Sequence, residues 1–225
     1  MKPKGRASLP EFLKPLGRNL IYAEGTVTEI NYVLELKSLI ATKLNVKSNQ
    51  VELITVPMNG SKHTLDLINF ACRDVKRRLK KNETIDNVWI FYDKDDFLDF
   101  DDASPKIKSL NKKYPGIEWY DCWSVECFEV WLYHYFENLV VPLSRKQYID
   151  KINHFLKSHG SCETYTKTCN HIHKLLTENG GDIKRAIKLM SKKSDYEYIP
   201  RPNPSSGVWV FAEFVVSYLE KTVVR

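Results

Sequence analysis

Val88-Trp-Ile-Phe-Tyr92 runs directly into Asp93-Lys-Asp95-Asp96, with Asp99, Asp101 and Asp102 close behind. The five apolar residues read as a buried strand, and the segments around them say what kind of sheet holds it. Upstream, residues 19–23 form a short apolar strand that ends in Glu24-Gly25, and Thr28 opens a helical pattern reaching Lys43. Residues 51–56 are a second strand, closed by Pro57 and the turn residues Asn59-Gly60. Residues 64–81 then place Leu65, Ile68, Ala71, Cys72, Val75 and Leu79 at helical spacing. Downstream of the aspartates, residues 102–112 read as a helix, 116–121 as a fourth strand and 126–138 as a strongly apolar helix. Strands alternating with helices predict an α/β fold, a parallel sheet of about four strands flanked by crossover helices. From Ser144 the pattern is helical throughout, over 144–159, 168–179, 182–194 and 205 to the end. The expected organisation is a basic leader over 1–17, an α/β core over 18–138 and a helical C-terminal region over 139–225 packed on that core.

The aspartates carry the chemistry. Six of them fall within residues 93–102, and carboxylates so crowded repel unless solvent, a metal or basic groups compensate. In an open α/β sheet, side chains at the carboxyl end of a strand face the crevice where ligands bind. Asp99, Asp101 and Asp102 also suit a solvated loop that caps the next helix. Asp93 and Asp95 sit at the lip of the strand, where a cap does not account for them. Carboxylate oxygens are hard ligands, so the metal expected is Mg2+ or Mn2+.

Composition narrows the classes. A chain of 225 residues with 43% hydrophobic content supports one good core with a helical annex. No apolar run reaches transmembrane length, and MKPKGRASLPEFLKPLGR lacks the hydrophobic centre of a signal peptide, so the expected location is cytoplasmic, with no membrane partner. Five cysteines without a C-x-x-C pair argue against a disulfide scaffold. A net charge of +6 beside a concentrated acidic cluster puts cations in excess elsewhere, in the leader and in Lys76-Arg77-Arg78 with Lys80-Lys81. Lys76, Arg77 and Arg78 are the candidates for holding nucleic acid. The same residues also suit the end of a helix, where cations favour the dipole.

Several chemistries fail against the residues. A calcium EF-hand loop counted from Asp93 would need glycine and glutamate where Leu98 and Ser104 stand. Gly60-Ser61-Lys62 misses the Walker A spacing. A haloacid-dehalogenase-like phosphatase also uses a D-x-D loop after a strand, one aspartate being the nucleophile; here Phe97 replaces the hydroxyl residue expected after the pair, and this reading stands as the alternative enzyme class. Cys162, Cys169, His171 and His173 suggest a soft-metal site, yet histidines two apart on a helix point in different directions, which favours a structural role. His134, alone among aromatics, reads as a packed core residue.

Glu24-Gly25 after the first strand and Asp93-x-Asp95 after the third resemble the arrangement of the Toprim fold, in which a glutamate and two aspartates meet across adjacent strand ends. More specifically, Tyr22-Ala-Glu24-Gly25-Thr-Val-Thr28-Glu29-Ile-Asn31-Tyr32 resembles the C-E-G-x-x-T-E-x-x-Y stretch of RloB-like proteins. Phe91-Tyr-Asp93-Lys-Asp95-Asp96-Phe97 is similar to their F-D-x-D-D-F segment, and Ser124-Val-Glu-Cys127-Phe128-Glu129-Val-Trp131-Leu132 to S-N-P-C-F-E-L-W-L. Tyr165-Thr-Lys167 matches a Y-x-K element, and Asn203-Pro204-Ser205-Ser206 resembles the closing N-P-S-T. The chain departs from the pattern at Val125 and Glu126, where Asn-Pro is usual, and at Tyr135, where histidine is common.

The resemblance implies a metal-dependent nuclease of bacterial anti-phage or abortive-infection systems, working with a separate AAA-type ATPase. Asp93 and Asp95 would hold the divalent ion, Glu24 would act as ligand or general base, Glu29 would serve a second ion, and Lys167 would meet the transition-state charge. The other reading is a catalytically idle Toprim domain that binds nucleic acid or a partner. Expected partners are a nucleic-acid substrate and the ATPase, with a homodimer left open.

Overall fold

The computed structural model describes residues 16–58, 64–94, 99–193 and 201–223. Residues 1–15 of the basic leader, the Asn59-Gly60 turn and the predicted ligand Asp95 with its neighbour Asp96 lie outside the described residues. The sheet has four parallel strands, β1 (Asn19–Ala23), β2 (Leu53–Thr55), β3 (Asn87–Asp93) and β4 (Glu118–Ser124), in the order β2-β1-β3-β4. Helices α1 (Thr28–Lys43), α2 (Thr64–Leu79) and α3 (Phe100–Lys113) make the crossovers. The chain winds outward from β1 to β2 and then returns across β1 to β3 and β4. The carboxyl ends of β1 and β3 are therefore the topological switch point, where a crevice opens in folds of this kind.

Alternation along the strands feeds two cores. Ile21, Ala23, Trp89, Phe91 and Cys122 face one side, against Tyr32, Val33, Leu36 and Ile40 of α1 and the C-terminal helices. Leu20, Tyr22, Val88, Ile90 and Tyr92 face the other, against Leu67, Ile68, Ala71 and Val75 of α2 and Phe100, Ala103 and Ile107 of α3. Burial on both faces explains why β1 and β3 are near-continuous apolar runs.

The remaining helices are α4 (Glu129–Tyr133), α5 (Arg145–Ser158), α6 (Ile172–Glu178), α7 (Ile183–Lys193) and α8 (Trp209–Val223). Phe211 of α8 meets the rings of Trp89 and Phe91 edge-on, at centroid distances of 5.1 and 5.3 Å, so α8 lies on the sheet itself. The segment before it is stitched to the end of β4: Val125 N donates to Ser205 O at 2.9 Å, Gly207 N donates to Trp123 O at 2.7 Å, and Ser206 bridges Ser124 antiparallel. A Cβ on Gly207 would stand 2.8 Å from Asp121 O, so this pairing needs glycine. Arg201 anchors the same segment, buried against Asp121 at 2.9 Å and 3.9 Å above the Trp123 ring. Among the described residues no helix is long and apolar enough to cross a membrane.

Several elements differ from the sequence expectation, among them three helices. The helix expected over 126–138 is regular only over Glu129–Tyr133. Glu126 has a positive φ of 75°, and beyond Tyr133 the amides of His134, Tyr135 and Phe136 turn back three residues rather than four. The segment is buried on nearly every side, so its apolar content had no period from which to place the ends. The helix expected over 168–179 begins only at Ile172, because the preceding backbone bonds to α1 instead: Thr28 Oγ1 donates to Lys167 O at 3.1 Å and Asn31 Nδ2 to Cys169 O at 2.9 Å. Helix α3 starts at Phe100, after Asp99, whose carboxylate accepts the Leu65 amide of α2 at 3.0 Å.

Candidate active site

Glu24 is the first residue beyond β1, and its amide donates to Phe91 O of β3 at 2.9 Å, carrying the pairing one step past the strand. Asp93 closes β3 opposite Ser124 of β4. In the pleat Asp93 follows Phe91 onto the α1 side of the sheet, two residues on. There a cavity of about 300 Å³ opens, lined by Glu24, Gly25, Thr26, Thr28, Glu29, Asp93, Phe128, Glu129, Arg145 and Lys167 among others. Four of the predicted site residues, Glu24, Glu29, Asp93 and Lys167, thus share one cavity although they are spread over most of the sequence.

The cavity has an acidic wall. Glu29, in the first turn of α1, is 7% exposed and folds back over the Glu24-Gly25 turn. A Cβ on Gly25 would stand 2.1 Å from Glu29 Oε2, so the glycine makes room for that carboxylate. Glu129, 1% exposed, accepts the Tyr165 hydroxyl at 3.0 Å and faces Lys167 Nζ at 3.8 Å. Burial raises the proton affinity of Glu29 and the neighbouring Glu129 charge adds to it, while Lys167 and Arg145 pull the other way. Burial likewise pushes the Cys127 thiol up, with the charges of Glu129 and Asp93 adding.

Oxygen donors and an excess of negative charge suit a hard divalent cation better than a soft one. Among the described residues no three of His, Cys, Asp and Glu are gathered closely enough to hold a metal ion. The oxygen donors and charge of the cavity fit a divalent ion, and Asp95, the other expected ligand, lies outside the described residues.

Glu129 and Arg145 were not among the site residues expected from sequence. A signal for Glu129 existed: it is a lone charge in the apolar run Phe128-Glu-Val-Trp-Leu-Tyr133. Arg145 offered none, since one arginine after a helix-capping serine is unremarkable on the page. Tyr165 and Lys167, read as one element, meet Glu129 here.

The other candidates lie elsewhere. Helix α2 runs antiparallel to the strands, so Lys76, Arg77 and Arg78 in its last turn sit at the amino end of the sheet. Arg78 bonds Asp74 at 2.7 Å and Glu83 at 3.0 Å, and Glu83 in turn pairs with Arg18 just before β1. Arg77 also bonds Asp74, whereas Lys76 is exposed. His134 is buried with Nδ1 2.7 Å from Val130 O, and burial lowers its pKa to about 4. His173 faces the Tyr135 hydroxyl at 3.2 Å and His171 pairs with Glu163 at 2.7 Å, so the two rings serve different neighbours.

The family model described as RloB-like protein matches residues 19–214, from the first residue of β1 into α8. A search of curated proteins finds no match.

Proposed function

The chain belongs to the RloB-like family, and from that premise we propose that it is a divalent-metal-dependent nuclease of Toprim type, cleaving phosphodiester bonds of RNA or DNA. In this reading it is an effector of anti-phage defence controlled by a separate AAA-type ATPase. The observation that carries the proposal is the convergence of Glu24, Glu29 and Asp93 on one cavity at the switch point of a parallel sheet, with Lys167 across from them. Carboxylates lining an open cavity with cations beside them are the arrangement a site handling a charged substrate requires.

Asp93, Glu24 and Asp95 would hold the ion, with Glu29 available to a second one. A bound magnesium or manganese supplies Lewis-acid polarisation of the phosphoryl oxygen and a more acidic water. The protein's own part is to orient the substrate. The Glu24-Gly25 turn positions one carboxylate against the end of β3, and α1 carries Glu29 over it. Lys167, held at its carbonyl by Thr28 and facing Glu129, presents a cation to the charge that develops in cleavage.

The test is cleavage of RNA and DNA panels with magnesium or manganese, by the chain alone and with a genomically adjacent ATPase. Asp93→Asn, Asp95→Asn and Glu24→Gln should each abolish cleavage while keeping the folded spectrum. Full cleavage by these variants would refute the reading. A wild-type chain that cuts nothing even with its ATPase would instead favour a non-catalytic binding domain.

A further inference from the structure

We propose that Arg145, with Lys167, grips a backbone phosphate of the substrate inside the cavity at the β1–β3 strand ends. The proposal rests on the nuclease reading and gives the substrate its binding residues. Carboxylates alone repel a phosphodiester, so the site needs positive charge next to its acidic wall. The structure provides two cations there. Arg145, the first residue of α5, lines the cavity together with Glu24, Glu29 and Asp93. Lys167 lies on the loop before α6, with a side chain 47% exposed and Nζ 3.8 Å from the buried Glu129, an ion pair too long to occupy its hydrogen-bond donors. Thr28 holds its backbone carbonyl, and Tyr165 holds the Glu129 carboxylate that its ammonium faces. A planar guanidinium beside an ammonium is suited to a phosphate, since a guanidinium can engage two oxygens at once.

Charge distribution points the same way. Residues 139–193 contain 11 Lys and Arg against 4 Asp and Glu, a balance of +7 where the whole chain has +6. The basic excess thus belongs to the helical part that carries Arg145 and Lys167. Arg77 and Arg78 of α2, by contrast, lie at the far end of the sheet from the cavity. A strand whose phosphate enters the cavity would run on over the α5 side, where the electrostatic attraction is greater.

Binding is measured apart from cleavage, by fluorescence anisotropy of labelled single-stranded DNA and RNA oligonucleotides in EDTA across a salt series. Arg145→Ala should weaken binding about tenfold or more, as for a lost charge-assisted contact. It should also reduce the slope of log K against log salt by roughly 0.7. Arg145→Lys should recover the slope but only part of the affinity, and Lys76→Gln with Arg77→Gln should leave both unchanged. Melting curves establish that each variant is folded. Wild-type affinity and slope in Arg145→Ala would overturn the proposal, as would a loss confined to the Lys76 and Arg77 variant or no binding by wild type. If binding depends on Arg145 but no metal or partner elicits cleavage, the nuclease reading falls and the phosphate contact stands; if wild type cleaves and Arg145→Ala binds normally, the reverse holds.

Discussion

Replacing Asp74 by leucine should destabilise the protein by about 1–4 kcal/mol, and also replacing Tyr22 by phenylalanine should reduce the combined loss below the sum of the two. Asp74 is 7% exposed on α2, and its carboxylate accepts the Tyr22 hydroxyl at 2.9 Å, Arg78 Nε at 2.7 Å and Arg77 Nε at 3.1 Å. Tyr22 is fully buried on β1, two residues before Glu24. Without the carboxylate its hydroxyl has lost its acceptor out of reach of water, which costs about 1–3 kcal/mol. The pairs with Arg77, 57% exposed, and Arg78, 16% exposed, add up to about 1 kcal/mol more. Tyr22→Phe alone should cost about 1 kcal/mol, because Asp74 keeps both arginines. The double variant has no orphaned hydroxyl, so it should lose about 1–2 kcal/mol less than the two singles together. Urea unfolding measures all four proteins, and an unchanged m confirms that only stability has moved. The pH dependence is a second check. Burial works against the Asp74 charge, but hydrogen bonds from Arg78, Arg77 and Tyr22 outweigh it and hold the pKa below the usual carboxylate value. A folded pKa below the unfolded one gives stability that is present above about pH 4 and lost as the pH falls through the folded value. The gap between wild type and Asp74→Leu should therefore narrow on acidification. Additive singles, or a gap that widens in acid, would refute the reasoning.

Two further expectations concern the cavity. Gly25→Ala places a Cβ where the Glu29 carboxylate now sits, so it should displace Glu29 and suppress cleavage while leaving the fold intact; an alanine variant with full cleavage would show that the Glu29 position is immaterial. Magnesium or manganese at about a hundredfold excess over Kd should raise wild-type stability by about 2.7 kcal/mol through mass action, and Asp93→Asn should lose most of that gain. Calorimetry showing the same metal binding in both proteins would remove Asp93 from the ligand set.

Legibility from sequence followed the range of the interactions involved. Helix α1 was readable to both ends because apolar spacing is a local property of the residues within it, although Thr28 opens the helix without capping it, its hydroxyl donating to Lys167 O instead. The strands β1 and β3, which lead to Glu24 and Asp93, were readable because burial on both faces leaves an unbroken apolar run ended by charge. Helix α4 was overextended because uniform burial erases period. Residues 51–56 read as a strand, whereas only Leu53–Thr55 is regular: β2 is an edge strand paired on one side. The place of Lys76, Arg77 and Arg78 relative to the cavity was not legible, since a charge run shows its sign but not which end of the sheet it occupies.

The sequence by itself determined the types of the elements, their alternation and the acidic residues at the strand ends, all of which depend on spacing over a few residues. Which distant residues share the cavity was decided by tertiary structure alone. Glu129 and Tyr165 are 36 positions apart and meet at 3.0 Å only because α4 and the loop before α6 are packed over the same face of the sheet. Arg145 joins them through the placement of α5 beside α4, a matter of side-chain packing across elements that no local pattern records.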